Sequence, residues 1–199
     1  MLKKLLLTLI TGFTLAFTAM SLAASSPIDE VRTSVDAVLA ILDDEQLNYE
    51  DKRTQISEIV KERFDFRAMS QRTLATNWKK TTDEEKEKFV ELFSQLIENS
   101  YVGKIESYTN ERVDYPGEKV NGRKAVVETL IITASADIPV DYRLYHKGDQ
   151  WLVYDVIIEG VSLISNYRSS YQEIMKKEGF DGLLAKMQSK IDELSSTPS

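Results

Sequence analysis

The chain contains no cysteine, one histidine and only eight glycines among its 199 residues. Without cysteine it has no disulfide, no thiol nucleophile and no cysteine that could be lipidated. A single histidine cannot build a multi-histidine metal site, and the scattered glycines form neither a phosphate-binding loop nor a Gly-x-Ser-x-Gly elbow. These absences favour a protein that is not an enzyme and that uses neither a metal nor a cofactor.

Basic residues are outnumbered by acidic ones, with 25 lysines and arginines against 32 acidic residues and a formal net charge of −7. An acidic protein is repelled by nucleic acid phosphates and is not held electrostatically on an anionic membrane surface. We therefore expect no nucleic acid partner and only transient contact with membranes.

The N-terminus has the organisation of a secretory signal. Lys3 and Lys4 precede a nearly continuous apolar run from Leu5 to Ala19, and the small residues of Ser21-Leu22-Ala23 follow. The apolar run is about 15 residues long, shorter than the roughly 20 that span a bilayer. We predict a signal peptide at residues 1–23 and a soluble, exported single domain at residues 24–199, whose net charge without the two lysines is −9.

Helical periodicity dominates the start and the end of the mature sequence. Ser26, Asn48, Asp65 and the Thr82–Glu85 capping box predict the starts of four helices. After Gly160 the helical pattern returns, and Gly179 predicts a break before the last helix. The first of these helices has one apolar stripe, formed by Ile28, Val31, Val35, Val38, Leu39 and Leu42.

Strand periodicity occupies the middle of the chain. The predicted strands are a short strand or hairpin around residues 113–122, then Ala125–Ala134, Val140–His146 and Trp151–Ile158. Asp137–Pro139 is predicted to turn the chain between the second and third of them. The order of elements predicts an α+β fold, in which an antiparallel sheet of about four strands is wrapped by N- and C-terminal helices.

The last strand is apolar on both of its faces. Strict alternation places Trp151, Val153, Asp155 and Ile157 on one face, and Leu152, Tyr154, Val156 and Ile158 on the other. A sheet with two apolar faces must be covered on both of them. The cover is either a fully packed set of helices, or helices that leave a deep apolar pocket for a ligand.

Two blocks of sequence resemble the MlaC-type family of periplasmic phospholipid-binding proteins, also known as toluene-tolerance auxiliary proteins. The first block is Phe64–Trp78 (FDFRAMSQRTLATNW), followed by Thr82–Glu85 and the Phe89-x-x-x-Phe93 pair. The second comprises Val140–Arg143 (VDYR), Trp151–Val156 (WLVYDV), Glu159–Leu163 (EGVSL) and Asn166–Arg168 (NYR). The blocks follow in family order over almost the whole mature chain; Tyr171 stands where a Phe-type residue is common.

The resemblance implies a periplasmic shuttle that moves glycerophospholipid between the outer and inner membranes and so maintains outer-membrane lipid asymmetry. The implied partners are glycerophospholipid, an inner-membrane ABC transporter with MCE-domain subunits, and an outer-membrane lipoprotein–porin complex. The family holds the acyl chains in a pocket between the sheet and the helices.

The pattern of apolar positions predicts the pocket residues, and Arg143 is a candidate for the lipid head group, with an ordinary ion pair as the alternative for that side chain. The proposed lining comprises Val60, Phe66, Met69, Phe93, Ile97, Tyr101, Ile105, Leu130, Ile132, Tyr142, Leu144, Trp151, Val153 and Val161. Either residues 110–123 or the short helix that contains Met69 is expected to move when lipid enters.

Other functions remain open at the level of sequence. The main alternative is a periplasmic carrier or chaperone for acylated or hydrophobic protein clients. A small enzyme with a hydrophobic pocket would need a buried acid or base, for which Asp155 is the candidate. A purely structural protein would instead have a fully packed core.

Overall fold

The computed structural model describes residues 25–106 and 112–196, and for residues 102–106 it describes the backbone only. The predicted signal peptide at residues 1–23 lies outside the described residues. Among the helices that are described, none is long and apolar enough to cross a membrane.

Two antiparallel helices begin the described chain, α1 (Pro27–Asp43) and α2 (Tyr49–Arg63). Both start where the sequence predicts. The side chain of Ser26 accepts the Asp29 N–H at 3.2 Å, and that of Asn48 accepts the Asp51 N–H at 3.0 Å. These bonds satisfy backbone donors that the first helical turn leaves unpaired.

Helix α3 (Phe66–Leu74), a 3₁₀ segment (Ala75–Lys79) and the 24-residue helix α4 (Asp83–Glu106) follow. Asp65 caps α3 by accepting the Ala68 N–H at 2.8 Å. Thr82 and Glu85 form the predicted capping box, with bonds of 3.2 and 2.6 Å. The local signals that start these helices are thus confirmed.

The sheet is antiparallel with the order β1-β2-β3-β4-β5, as the sequence predicts for an α+β fold. It has one strand more than the four expected, because the two residues of β5 pair with the end of β4. The strands are β1 (Arg112–Asn121), β2 (Lys124–Ile132), β3 (Asp137–Lys147), β4 (Gln150–Ile158) and β5 (Val161–Ser162).

The turn between β2 and β3 lies earlier than predicted. Thr133 accepts the N–H of Ala136 at 3.0 Å with its side chain, so the turn occupies residues 133–136 and β3 begins at Asp137. Pro139 is therefore a strand residue. Its carbonyl points away from β2, towards the turn after β4, where it accepts the Glu159 N–H. A proline N–H, if present, would point in the same direction. The missing proline N–H consequently removes no bond to β2.

A β-bulge interrupts the pairing of β3 with β4. Arg143 lies opposite Asp155, but the next residue of β3, Leu144, lies opposite Val153. Tyr154 is therefore the extra residue of β4 and has no partner in the register. A bulge of this kind reverses the face on which the following side chains emerge.

The bulge corrects the two faces that strict alternation assigned to β4. Residues directly opposite one another in an antiparallel pair share a face. Val156 and Ile158 consequently join Trp151 and Val153 on one face, whereas Asp155 lies on the other. The buried cluster of the sheet contains Trp151, Val153 and Val156 together, which agrees with this assignment.

Helix α5 (Leu163–Ser196) completes the fold and is interrupted at Gly179, whose φ of 73° is outside the helical range. Helices α3, α4 and α5 share one hydrophobic core, in which Met69, Phe89, Phe93 and Leu183 are fully buried. Helices α1 and α2 instead form a pair on the sheet, where α1 crosses β1 and β2 and α2 approaches β4.

Candidate functional site

An apolar cavity lies between the α1–α2 pair and one face of the sheet. The cavity has a volume of about 160 Å³. The whole unfilled cleft, including the part that is open to solvent, is about 830 Å³. Each of the strands β1 to β4 contributes one residue to the lining. The lining residues are Val31, Ser34, Val35, Val38, Leu39, Leu42, Ile59, Val60, Arg63, Phe64, Val113, Ile131, Tyr142 and Val153.

The cavity explains why the apolar stripe of α1 is not fully buried. Val31 is 2% exposed, but Val35, Val38, Leu39 and Leu42 further along α1 are only partly buried. A stripe that packed against a closed core would lose nearly all of its exposure. These side chains instead border unfilled space, which suits an apolar ligand.

A polar cluster fixes the N-terminal half of α1 at the edge of the cavity. Arg63 forms an ion pair with Glu30, and the two side chains are only 15% and 11% exposed. The same guanidinium donates to the Ser34 hydroxyl and to the Trp151 carbonyl, at 3.0 Å each. The cluster thus links α1, α2 and β4, and its bonds use the donors that burial of an arginine would otherwise leave unpaired.

The enclosed volume limits what the cavity holds in this conformation. An engineered protein cavity of about 150 Å³ accommodates benzene. A lipid with two acyl chains is far larger, so such a ligand would have to fill the open cleft as well, or displace α1 and α2 from the sheet.

Three of the residues that the sequence suggested for the lining do line the cavity. Val60 is on α2, Tyr142 on β3 and Val153 on β4. Leu144 and Trp151 lie on the same face of the sheet but are buried in its packed core.

Most of the other suggested residues lie elsewhere. Leu130 and Ile132 flank the lining residue Ile131 in β2 and therefore point to the opposite face. Val161 is 61% exposed on β5. The side chain of Ile105 lies outside the described residues. The apolar faces of α3 and α4 pack with α5 in the helical core. The remaining suggested residues belong to that core or pack against it, namely Phe66, Met69, Phe93, Ile97 and Tyr101.

Arg143 forms an ion pair, with its guanidinium donating to the carboxylate of Asp155 at 3.0 Å. Asp155 is 4% exposed and also accepts the Ser162 hydroxyl at 2.8 Å and the Ile164 N–H at 3.1 Å. The pair lies on the sheet face opposite the cavity and holds the start of α5 against β4. This is the ordinary ion pair that was the alternative for Arg143.

The two segments that were expected to move are also placed by the fold. Met69 is fully buried in the helical core, away from the cavity lining. Of the segment 110–123, residues 112–121 form the edge strand β1, which contributes Val113 to the lining, and residues 110 and 111 are outside the described part of the chain. Both lid assignments stay predictions.

Sequence reasoning missed the contribution of α1. The stripe of α1 was visible, but a stripe that faces a cavity has the same spacing as one that faces a core. Only the position of α1 over β1 and β2 distinguishes the two.

Comparison with known proteins agrees with this architecture. The family model described as "MlaC protein" matches residues 32–189. The intermembrane phospholipid transport system binding protein MlaC of Haemophilus influenzae is 31% identical over 123 residues, which cover 59% of this chain and 58% of that protein. The toluene tolerance protein ttg2D of Pseudomonas putida is 23% identical over 173 residues, covering 83% of this chain and 80% of that protein.

A solved structure shares the fold. The phospholipid-binding protein from Ralstonia solanacearum, determined in complex with a phospholipid, superimposes with a TM-score of 0.80 at 25% sequence identity. The match covers 86% of this chain and all of that one. Together with the family model, which spans most of the sequence, it confirms the resemblance seen in the two sequence blocks. The chain belongs to the MlaC family.

Proposed function

We propose that this protein is a periplasmic phospholipid carrier, and that it moves glycerophospholipid between the outer and inner membranes to maintain outer-membrane lipid asymmetry. The observation that supports this most directly is the apolar cavity between α1, α2 and the sheet. It occurs in a fold shared with a protein whose structure holds a phospholipid.

Energetics require a carrier to enclose the acyl chains. Each methylene group removed from water contributes about 0.8 kcal/mol, so two ordinary chains amount to more than about 20 kcal/mol. A shallow groove could not compete with the bilayer for such a ligand. A cleft that α1 and α2 cover from one side and the sheet from the other is suited to this enclosure.

Carriage itself needs no covalent chemistry, and we propose that the protein is not an enzyme. The direction of transport would come from partners with different affinities for the loaded and empty carrier. The partners we propose are an inner-membrane ABC transporter with MCE-domain subunits and an outer-membrane lipoprotein–porin complex, both contacted transiently.

Native mass spectrometry of protein purified from a periplasmic extract without detergent tests the carrier function. We expect a bound mass that fragments into an intact two-chain glycerophospholipid. Recovery of an acylated protein instead would favour a carrier of protein clients. A bare polypeptide that stays empty after incubation with phospholipid vesicles would contradict lipid carriage altogether.

A pair of variants on α1 provides the matched control. Val38→Asp puts a charge into the cavity wall, whereas Ala40→Asp puts the same charge on the exposed side of the same helix. The first should lose the bound lipid and the second should keep it.

Cells that lack the protein should also expose more phospholipid to an added phospholipase. Unchanged exposure would contradict the role in asymmetry.

A further inference from the structure

Tyr115 of β1 has a buried hydroxyl group that makes no hydrogen bond within the described part of the chain. Its ring packs against the core of the sheet, and Tyr142 of the cavity lining is close enough to act on it electrostatically. Burial raises the pKa of Tyr115 to about 12, so the phenol is protonated at neutral pH. The hydroxyl is therefore a donor without an acceptor, which is unfavourable in a folded protein.

Arg32 of α1 lies directly above this ring. Its guanidinium carbon is 4.7 Å from the centroid of Tyr115. The side chain is exposed, and none of the ion pairs in the described ranges involves it. Arg32 differs in this from Arg63 and Arg143, each of which is paired with a carboxylate.

Neither residue lines the cavity, but Tyr115 packs against the buried cluster of the sheet, to which the lining residues Val31 and Val153 belong. Arg32 follows the lining residue Val31 on α1, and Tyr115 is two residues beyond the lining residue Val113 on β1. A planar guanidinium and a phenolic O–H are both donors suited to phosphate oxygens. An amphiphile whose chains occupy the apolar cleft could place its phosphate here.

We propose that Arg32 and Tyr115 bind the phosphate of the lipid head group where α1 crosses β1. This inference rests on the proposed function and replaces Arg143 as the head-group residue. Asp36 lies one turn beyond Arg32 on α1, and its carboxylate contributes to the raised pKa of Tyr115. A carboxylate this close to Tyr115 would also repel a second negative charge on the ligand. A phosphodiester with one negative charge fits the site better than a phosphomonoester with up to two.

The test compares two single-chain ligands that differ only in the phosphate-containing group, palmitoyl lysophosphatidylcholine and palmitoyl monoglycerol. Wild type should bind the former more tightly. Arg32→Gln and Tyr115→Phe should each weaken lysophosphatidylcholine binding about tenfold or more, the loss of one charge-assisted hydrogen bond, and leave monoglycerol binding unchanged. Arg67→Gln, which removes an exposed arginine from α3, is the control and should change neither.

Three outcomes distinguish a failure of the phosphate site from a failure of the proposed function. If wild type binds neither ligand, the proposed function fails. A second outcome is that both ligands bind, but the variants either leave the preference for lysophosphatidylcholine unchanged or weaken the binding of both ligands equally. The phosphate site is then wrong, and lipid carriage stands. If inorganic phosphate alone stabilises wild type against heat, and Arg32→Gln abolishes that effect, the site binds a free anion and not a head group.

Two further measurements separate a ligand role from a structural one. Ligand-free Tyr115→Phe should unfold at a higher temperature than wild type, because the substitution removes an unsatisfied buried hydroxyl. A lower unfolding temperature would mean that the hydroxyl has a structural partner and would overturn its role. Asp36→Asn should improve binding of palmitoyl lysophosphatidic acid more than of lysophosphatidylcholine; equal effects would overturn the phosphodiester preference.

Discussion

Leu130 and Ile131 are adjacent in β2, yet only Ile131 lines the cavity. Because successive side chains of a strand alternate, Leu130 points to the opposite face, where its cross-strand partners are Asp114 and Pro139. Two neighbouring positions of similar chemistry thus provide a test of which face of the sheet the ligand occupies.

Ile131→Asp should abolish lipid occupancy, because the new carboxylate would be buried against the acyl chains. Leu130→Asp should retain it. Both are checked by extracting lipid from the purified variants, with circular dichroism as the control for folding. Lipid loss in the folded Leu130→Asp variant alone would place the ligand on the other face.

Removal of one partner from the buried Arg63–Glu30 pair should destabilise the protein strongly. We expect Arg63→Met to lower the free energy of unfolding by about 3 kcal/mol, since Glu30 would stay as an unpaired charge with little exposure. The double variant Arg63→Met, Glu30→Leu should recover much of that loss in a urea titration.

The Lys61–Glu98 pair is the matched comparison for the Arg63 variants, because Lys61 is also on α2 but is 57% exposed. Lys61→Met should cost less than about 1 kcal/mol. Equal costs at Lys61 and Arg63 would contradict a special role of the buried pair in holding α1 to α2.

Asp65 should make stability depend on pH. Burial favours a higher pKa, but hydrogen bonds from Tyr145, the Ala68 N–H and Lys147 outweigh it and hold the pKa of Asp65 below its ordinary value of 3.8. A lowered pKa means that the stabilisation is fully present above the unfolded-state pKa and is lost as pH falls through the folded-state value.

Asp65→Asn should therefore lower the free energy of unfolding by about 1 to 2 kcal/mol at pH 7. The difference between variant and wild type should shrink as the pH falls below about 4. Denaturant titrations at several pH values measure this. A difference that is constant from pH 7 to pH 2.5 would show that the charge of Asp65 is not what stabilises the fold.

Ala75 has an unfavourable backbone conformation at the end of α3, with φ of 51° and ψ of −119°. A glycine adopts positive φ without the clash that the alanine Cβ causes. Ala75→Gly should raise the free energy of unfolding by about 1 kcal/mol. Ala68→Gly, inside the same helix, should instead lower it by about 1 kcal/mol. Thermal unfolding compares the two, and destabilisation by both would argue against strain at Ala75.

Much of the fold was predictable because its signals are local. The caps at Ser26, Asn48, Asp65 and Thr82 act within one helical turn, and each starts a helix at the predicted position. The change from helical to strand periodicity near Val113 likewise located the sheet. The short strand β5 was missed, since two residues are too few to show a period.

The cavity lining was only partly predictable, because it depends on which helix covers which surface. Phe66, Met69 and Phe93 have the aromatic and apolar character of a pocket wall, but they pack in the core with α5. The sequence contains no signal that distinguishes that partner from the sheet. Similarly, the bulge at Tyr154 reverses the faces of β4 without any glycine or proline to mark it.

The sequence by itself determined most of the secondary structure, the α+β class and the absence of a thiol or multi-histidine site, because these follow from local propensity, periodicity and composition. The family followed from the resemblance of two sequence blocks. The tertiary structure decided that α1 and α2 cover the cavity, that Ile131 faces it while Leu130 does not, and that Arg143 pairs with Asp155 on the far side. These features depend on strand register and helix packing, which join residues far apart in the chain and leave no periodic trace in its sequence.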